Sequence, residues 1–297
     1  MDLQQQIDEL VLSGVVSWRP EYVERHRLQV DCREIEVRAV PSLAGRFLSS
    51  REPNRICDLC GMISQKELAV QCVPNHHGLV CMVNTWPYFE SQLVVMSSEH
   101  LPDFNLRQWC SIGVICCELE LSAMALQREG SGATVPSHAH VSLFKEQLPI
   151  YNWPVSVAFS ADRISIATLP DHPSACYVIR ADTFERERAA EYHLFSALQD
   201  RHVPFNAFWG HPYGTIIFPR SAERDPETNR WIGAPEIAGV IISGIDGFCG
   251  ETVTEYQQYM LNESRRTGSG DWTGPVSRVG FPDLDENLCS DLIIRFG

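Results

Sequence analysis

A pair of cysteines has the spacing of half a metal site. In Cys57-Asp58-Leu59-Cys60 the two thiols lie three positions apart, and a tight turn between them would let both sulfurs reach one ion. The same spacing also occurs in redox pairs and between unrelated core cysteines. A tetrahedral metal site over these thiols therefore needs two further ligands from elsewhere in the chain.

A second segment, Ser137 to Ser142, contains two histidines separated by one residue. On an extended strand residues i and i+2 share a face, so the side chains of His138, His140 and Ser142 are expected to point the same way. A neutral imidazole can ligate a metal ion, and it can also act as a nucleophile at neutral pH. The alternative is a hydrogen-bonded histidine pair in a polar pocket.

The two segments together can supply a closed ligand set. His138 can join the cysteine pair, and His100, which follows a predicted strand, lies where a fourth ligand could reach the same ion. Two cysteines and two histidines satisfy the tetrahedral preference of zinc and leave no open position for activating water. The sequence thus predicts a structural zinc site of Cys57, Cys60, His100 and His138, which leaves His140 free for chemistry.

Hydrophobic patterning places these residues in a unit of strand, strand, helix and strand. Residues 79–84 and 92–97 are short, apolar and rich in β-forming side chains, which predicts two buried strands. Residues 105–128 lack proline and are amphipathic, so one long helix is expected, ended by Gly130-Ser131-Gly132. Residues 133–145 then predict the last strand of the unit.

The rest of the chain predicts a second unit of similar order. The expected elements are a helical lead-in over residues 1–30, strand and loop over 31–56, two strands within 155–168, a strand at 175–180, a helix at 183–199, strands at 205–209 and 215–219, an apolar segment at 235–243, a helix at 252–262 and a loop over 268–286. Because no sequence identity between the halves is visible, an internal repeat is a structural hypothesis only.

Composition restricts the class of protein. The 297 residues carry a formal net charge of −14, which repels nucleic-acid backbones and anionic membranes, so neither is an expected partner. No apolar run approaches the roughly 20 residues of a membrane span, and the first residues do not have the pattern of a signal peptide. The 11 cysteines are scattered, which indicates a reducing cytoplasm rather than a secreted disulfide scaffold.

The segment from Cys57 to Lys145 resembles the first half of galactose-1-phosphate uridylyltransferases and their relatives in the histidine-triad superfamily, which include ADP-glucose, GDP-hexose and diadenosine tetraphosphate phosphorylases. The matching motifs are the Cys-x-x-Cys pair, a histidine after the second core strand, the His-x-His motif and Val83-Asn84-Thr85-Trp86-Pro87-Tyr88. The second half is only loosely similar. There, Phe205-Asn206-Ala207-Phe208 and Ile216-Ile217-Phe218-Pro219-Arg220 resemble the phosphorylase branch more than the uridylyltransferases.

The resemblance implies an α+β fold of two histidine-triad-like halves, each an antiparallel sheet with packed helices. We expect the zinc-bearing half with the nucleophile at residues 1–150, and the half that completes the substrate site at residues 151–297. In the family's pattern the zinc ligands fall on the four residues named above, His140 is the nucleophile, and Asn84 lies near the nucleotide ribose. Zn²⁺ is the implied cofactor.

Ser142 departs from the family's pattern, in which this position carries glutamine or, in the histidine-triad hydrolases, histidine. That side chain donates a hydrogen bond to the reacting phosphate, and the shorter Ser142 is a candidate for the same role through a water or a shifted phosphate. Backbone N–H groups of Ser131 and Gly132 are candidates for phosphate binding, with a plain helix end as the alternative. Arg220 is a candidate for the acceptor phosphate, with a surface charge as the alternative.

The activity implied by the resemblance is that of a nucleotidyltransferase or phosphorylase. His140 would attack the α-phosphate of a nucleotide sugar or dinucleotide, and the covalent nucleotidyl-histidine would pass to phosphate or a sugar phosphate with ping-pong kinetics. Two alternatives stay open: a hydrolase that releases the nucleotide to water, and a zinc-stabilised nucleotide-binding protein without turnover. The base, the sugar and the oligomeric state are not determined, and a homodimer stays open.

Overall fold

The computed structural model describes residues 3–16, 24–30, 33–39, 57–65, 68–70, 76–85, 87–127, 130–133, 135–210, 214–227, 232–243, 273–281 and 283–296. Within these ranges the helices are α1 (Leu3–Leu12), α2 (Asp58–Ile63), α3 (Leu106–Glu118), α4 (Phe184–Asp200), α5 (Ala234–Ile237), α6 (Thr273–Val279) and α7 (Glu286–Phe296), with a 3₁₀ helix at Pro149–Asn152. The strands are β1 (Glu24–Val30), β2 (Arg33–Ala39), β3 (Leu79–Val83), β4 (Leu93–Ser97), β5 (Ala123–Gln127), β6 (His140–Phe144), β7 (Ser156–Ala161), β8 (Ile164–Thr168), β9 (Tyr177–Ala181), β10 (Phe205–Gly210), β11 (Gly214–Pro219) and β12 (Val240–Ser243).

Two sheets organise the described part of the chain, which confirms the expected α+β class with antiparallel sheets and packed helices. The larger sheet has nine antiparallel strands in the order β3-β4-β6-β5-β10-β11-β9-β8-β7. Its two halves meet where β5 pairs with β10, so the strands on either side of residue 150 form one continuous surface. In the smaller sheet, β1 pairs antiparallel with β2, and β12 pairs parallel with β2. The division at residue 150 stays a prediction.

Helix α3 is shorter than the sequence predicts, because it ends in a Schellman motif that lacks the usual glycine. Asn105 caps the start of the helix in a capping box. Its side-chain oxygen accepts from the backbone N–H of Gln108, and the side-chain oxygen of Gln108 accepts from the backbone N–H of Asn105. At the other end Glu120 adopts a φ of 54°, and the N–H of Leu121 donates to the carbonyl of Cys116 at 2.8 Å. The residues that follow turn back as strand β5.

The segment before the His-x-His motif also differs from the prediction. The predicted strand over residues 133–145 is confined to β6, and residues 135–138 form turns and bends instead. The Gly130-Ser131-Gly132 segment follows strand β5 rather than ending a helix. Gly130 has a φ of 76°, and a Cβ there would lie 2.7 Å from Pro204, so the tight approach requires glycine.

Two expectations near the ends of the chain differ in part from the structure, and a third falls on residues that the structure does not describe. The helical lead-in ends at Leu12, and β1 occupies the end of the range predicted as helix. A helix, α6, lies inside the predicted loop over 268–286. The predicted helix at 252–262 lies outside the described residues. Elsewhere the structure confirms, within one or two residues, the predicted strands at 79–84, 92–97, 155–168, 175–180, 205–209 and 215–219 and the helix at 183–199.

The large sheet has two unlike faces. Val141 and Leu143 of β6 are 1% and 0% exposed and belong to the main core, which includes residues of α3, α4 and α7. Because side chains alternate along a strand, His140 and Ser142 project from the opposite face. No helix within the described ranges is both long and apolar enough to cross a membrane.

Candidate metal centre and active site

Three chain segments bring the four predicted metal ligands together. Cys57 is the N-cap residue of α2 and Cys60 lies in the first turn of that helix. His100 follows strand β4, and His138 precedes β6, the next strand in the sheet. One ligand atom from each of the four residues lies within 4.8 Å of the others. The sequence prediction of a single Cys-Cys-His-His cluster is therefore matched by the geometry.

The spacing inside the cluster fits a tetrahedral ion. The Nδ1 atom of His138 lies 3.5 Å from both the Cys57 and the Cys60 sulfur, and Nδ1 of His100 lies 3.2 Å from the Cys60 sulfur. Metal bonds of ~2.3 Å to sulfur and ~2.0 Å to nitrogen place adjacent sulfur and nitrogen atoms of a tetrahedron about 3.5 Å apart. The four side chains could therefore hold one metal ion.

The protonation of the cluster also favours a cation. His138 directs Nε2 at the carbonyl of Ser97, 2.8 Å away, and since a carbonyl can only accept, Nε2 carries the proton and Nδ1 presents its lone pair to the thiols. Burial lowers the pKa of His138. Partial burial, and then the neighbouring Cys57, raise the pKa of the Cys60 thiol. Because the two sulfurs lie within 4.8 Å of each other, both thiols can be ionised together when a positive charge lies between them.

His140, the first residue of β6, has the opposite tautomer. Its Nδ1 lies 2.7 Å from the carbonyl oxygen of His138, which places the proton on Nδ1 and leaves Nε2 with a lone pair. Burial is the main cause that lowers the pKa of His140, so the ring is neutral at neutral pH. The arrangement suits a nucleophilic nitrogen next to a residue of the metal cluster.

Ser142 lies on the same face of β6 and has a partner that the sequence did not reveal. The side chain of Ser142 is buried, and Nε2 of Gln92 donates to its hydroxyl oxygen at 3.2 Å. Gln92 immediately precedes β4, which pairs with β6. Its position at the first residue of a predicted strand was the only sequence signal, and it did not indicate a role.

Asn84 follows strand β3 and lies on the same face as Gln92. Its backbone N–H donates to the carbonyl of Gln92 at 3.0 Å, which extends the β3–β4 ladder by one pair. Both residues line a small pocket, and Ile7 and Val16 of the N-terminal segment are among its other lining residues. Asn84 therefore lies at the edge of the sheet face that carries His140 and Ser142.

Ser131 and Gly132 are buried in the segment that follows β5. Pairing of Leu126 with Val141 brings the end of β5 alongside His140. The carbonyl of Ser131 accepts from the Asn206 side chain at 3.1 Å. The segment thus leaves the sheet beside the candidate nucleophile.

Arg220 does not have the position we expected for a residue that binds the acceptor phosphate. It is fully buried, and its five N–H groups donate to the protein itself: the side chain of Asn206 and the carbonyls of Ser131, Ala222, Ile232 and Val279. Burial lowers the pKa of Arg220 to about 10, so it stays charged at neutral pH. Neither a phosphate ligand nor a surface charge, Arg220 joins the 130–133 segment to β10 and α6.

Comparison with known proteins identifies solved structures that have a similar fold. No family model matches the chain, and no curated protein matches its sequence. Yeast Ap4A phosphorylase Apa2 in complex with Ap4A has a similar structure, with a TM-score of 0.64 at 14% identity, covering 95% of this chain and 98% of that chain. Another crystal structure of Apa2 gives a TM-score of 0.64 at 13% identity, covering 95% and 94%.

A weaker likeness, which carries no argument, is to an ADP-glucose phosphorylase from Arabidopsis thaliana with bound ADP-glucose, with a TM-score of 0.37 at 14% identity, covering 74% of this chain and 94% of that chain. At these identities the comparisons establish the fold alone. The chain has the two-half α+β fold of Ap4A phosphorylase, as the resemblance of residues 57–145 implied.

Proposed function

We propose that this chain, which has the fold of Ap4A phosphorylase, is a nucleotidyltransferase of the phosphorylase type that works through a covalent nucleotidyl-histidine on His140. Support comes chiefly from one observation: His140 is held as the neutral tautomer with an unprotonated Nε2 by the backbone carbonyl of His138. A nitrogen fixed in this way needs no separate base to become a nucleophile at neutral pH.

The Cys57, Cys60, His100 and His138 cluster is proposed to hold Zn²⁺. Its donor set, two sulfurs and two nitrogens, is one that zinc prefers, and all four positions of a tetrahedron would be filled by protein. When bound, the ion supplies structural cross-linking rather than an activated water. Its place in the mechanism is to hold His138, whose carbonyl orients His140.

In the proposed reaction Nε2 of His140 attacks the α-phosphorus of a nucleotide sugar or dinucleotide. The bond from that phosphorus to the bridging oxygen breaks, and the sugar phosphate or nucleotide leaves. Inorganic phosphate or a sugar phosphate then attacks the same phosphorus and releases His140. With phosphate as the acceptor, the product is a nucleoside diphosphate.

Other residues are proposed to bind the substrate around this nitrogen. The hydroxyl of Ser142 would donate to the phosphate, because it lies two residues along the same strand face, about 7 Å from His140. Asn84 would contact the ribose from the edge of that face. The backbone of Ser131 and Gly132, at the end of the neighbouring strand, would approach the phosphate from the other side.

A labelling experiment tests this function. Native protein is incubated with Ap4A, ADP-glucose or UDP-galactose, with and without phosphate, and its intact mass is measured. We expect a nucleotidyl adduct that maps to His140 and is discharged by phosphate as a nucleoside diphosphate. Discharge only to water, giving a monophosphate, would indicate the hydrolase. Tight binding without any adduct would indicate the binding protein.

A further inference from the structure

Gln92 and Ser142 form a buried pair on the sheet face that carries His140. Ser142 is 7% exposed and Gln92 is 2% exposed, and Nε2 of Gln92 donates to Oγ of Ser142 at 3.2 Å. A hydroxyl that accepts this bond still has its own proton to donate. In the part of the chain that the structure describes, no acceptor takes that proton.

The orientation of the Gln92 amide is fixed by its oxygen. Oε1 accepts from the backbone N–H groups of Tyr88 and Phe89 at 3.0 and 3.3 Å. Because backbone N–H groups can only donate, the amide oxygen must face them and the NH₂ group must face Ser142. The segment that contains Tyr88 and Phe89 is in turn held by Arg38, a buried residue whose Nη1 donates to the carbonyl of Tyr88 at 2.9 Å.

This chain of contacts determines the direction of one hydroxyl. Gln92 occupies the accepting side of Ser142 Oγ, so the O–H must point away from Gln92. Strand register places Ser142 opposite Val94, and His140 opposite Met96, on the sheet face that also carries Gln92. The free O–H and the lone pair of His140 therefore project from the same face, two residues apart on one strand.

We infer that Gln92 is a positioning residue for nucleotidyl transfer, which keeps the O–H of Ser142 directed at the phosphate that His140 attacks. The inference rests on the proposed function. In it the short serine side chain does not bind phosphate unaided, because a buried amide on the neighbouring strand fixes its donor direction in advance. Such preorganised donors stabilise the charge that develops on phosphate oxygens.

Gln92→Glu is the discriminating variant. It keeps an acceptor for Tyr88 and Phe89 but replaces the donor NH₂ with an acceptor, so the hydroxyl of Ser142 turns toward residue 92. Gln108→Glu is the matched control, since Gln108 is a buried glutamine in the capping box of α3 whose amide nitrogen donates to the carbonyl of His77 rather than to Ser142. The rate of nucleotidyl-His140 formation from Ap4A is measured for both, alone and combined with Ser142→Ala.

We expect Gln92→Glu and Ser142→Ala each to slow adduct formation by about a hundredfold, and the double variant to be no slower than Ser142→Ala. Gln108→Glu should keep the native rate. The inference is overturned if Gln92→Glu slows adduct formation by the same factor in native protein and in the Ser142→Ala background. A native rate in Gln92→Glu overturns it as well.

If Gln92→Glu does not fold, Ser142→Ala decides alone, and a native rate in that variant refutes the inference. Failure of the proposed function is a different result, because native protein then forms no adduct on His140 at all. An adduct in native protein with a native rate in Gln92→Glu refutes only the role of Gln92.

Discussion

The carbonyl oxygen of His138 accepts the Nδ1–H of His140 at 2.7 Å, while the ring of His138 lies among the cysteines with its own proton on Nε2. His138 thus contributes its side chain to the group of four candidate metal ligands, and its backbone carbonyl binds the candidate nucleophile. Anything that holds His138 also holds the tautomer of His140, so metal binding and reactivity are expected to be coupled.

Replacing His140 by alanine should remove the nucleotidyl adduct, with loss of at least about a thousandfold in turnover, because no other described nitrogen is held this way on the sheet face. Metal content should be unchanged, since His140 is not among the four cluster residues. Intact mass spectrometry and metal analysis measure the two effects. His193→Ala, a histidine paired with Asp291, is the control expected to keep native labelling. Native turnover in His140→Ala would refute the covalent mechanism.

Cys60→Ser should lower both metal content and stability. If zinc is present about a thousandfold above its dissociation constant, losing it removes ~4 kcal/mol of unfolding free energy. Plasma emission spectrometry should find one zinc per native chain and much less in Cys60→Ser, and urea unfolding should give the stability difference. The exposed Cys117, changed to serine, is the matched control. Equal zinc in both variants would exclude the four-residue site.

Arg220→Met should destabilise the fold without a specific effect on phosphate. The change leaves the amide oxygen of Asn206 and the carbonyls of Ala222 and Ile232 without the donor they have inside the protein, at a cost of about 3 kcal/mol or more. The carbonyls of Ser131 and Val279 lose one of two donors. Arg201→Met removes a half-exposed pair with Asp285 and should cost below ~1 kcal/mol. Denaturant unfolding compares the two. A large rise in the KM for phosphate, with native stability, would restore the acceptor-site role that the structure argues against.

Glu191 should make stability depend on pH. It lies fully buried between Trp109, Thr215 and Arg188, and burial raises its pKa from 4.5 to about 7. Between these two values the folded state holds a proton that the unfolded state has released. The free energy of unfolding therefore falls as pH rises from about 4.5 to about 7 through this group, and stays level above it.

Glu191→Gln removes the titrating group and should flatten that part of the stability curve. Urea unfolding at several pH values, for native protein and variant, measures the difference between the two slopes. The control is Glu185→Gln, in the first turn of α4 on the same helix. If the free energy of unfolding of native protein, minus that of Glu191→Gln, rose between pH 4.5 and pH 7 instead of falling, the raised pKa of Glu191 would be wrong.

Much of the fold was predictable because short stretches of sequence determine it. Examples are the apolar runs of β3 and β4, and the helical periodicity of α4 with Thr183 as its N-cap. The end of α3 was not predictable in the same way. Glu120 takes the left-handed conformation that glycine usually adopts, so no breaker marked the point where the helix stops and β5 begins.

Side-chain chemistry and short spacings do not depend on the fold, so the amino-acid sequence was enough to predict the ligand set of Cys57, Cys60, His100 and His138 and to indicate His140 as the remaining histidine of the motif. The tautomers of His138 and His140, the burial of Arg220 and the pairing of Gln92 with Ser142 became evident from the folded chain alone. The contacts of His138, Arg220 and Gln92 depend on distant segments that the strand register brings within hydrogen-bonding distance. The His140 contact joins residues two apart and depends on the backbone conformation adopted just before β6.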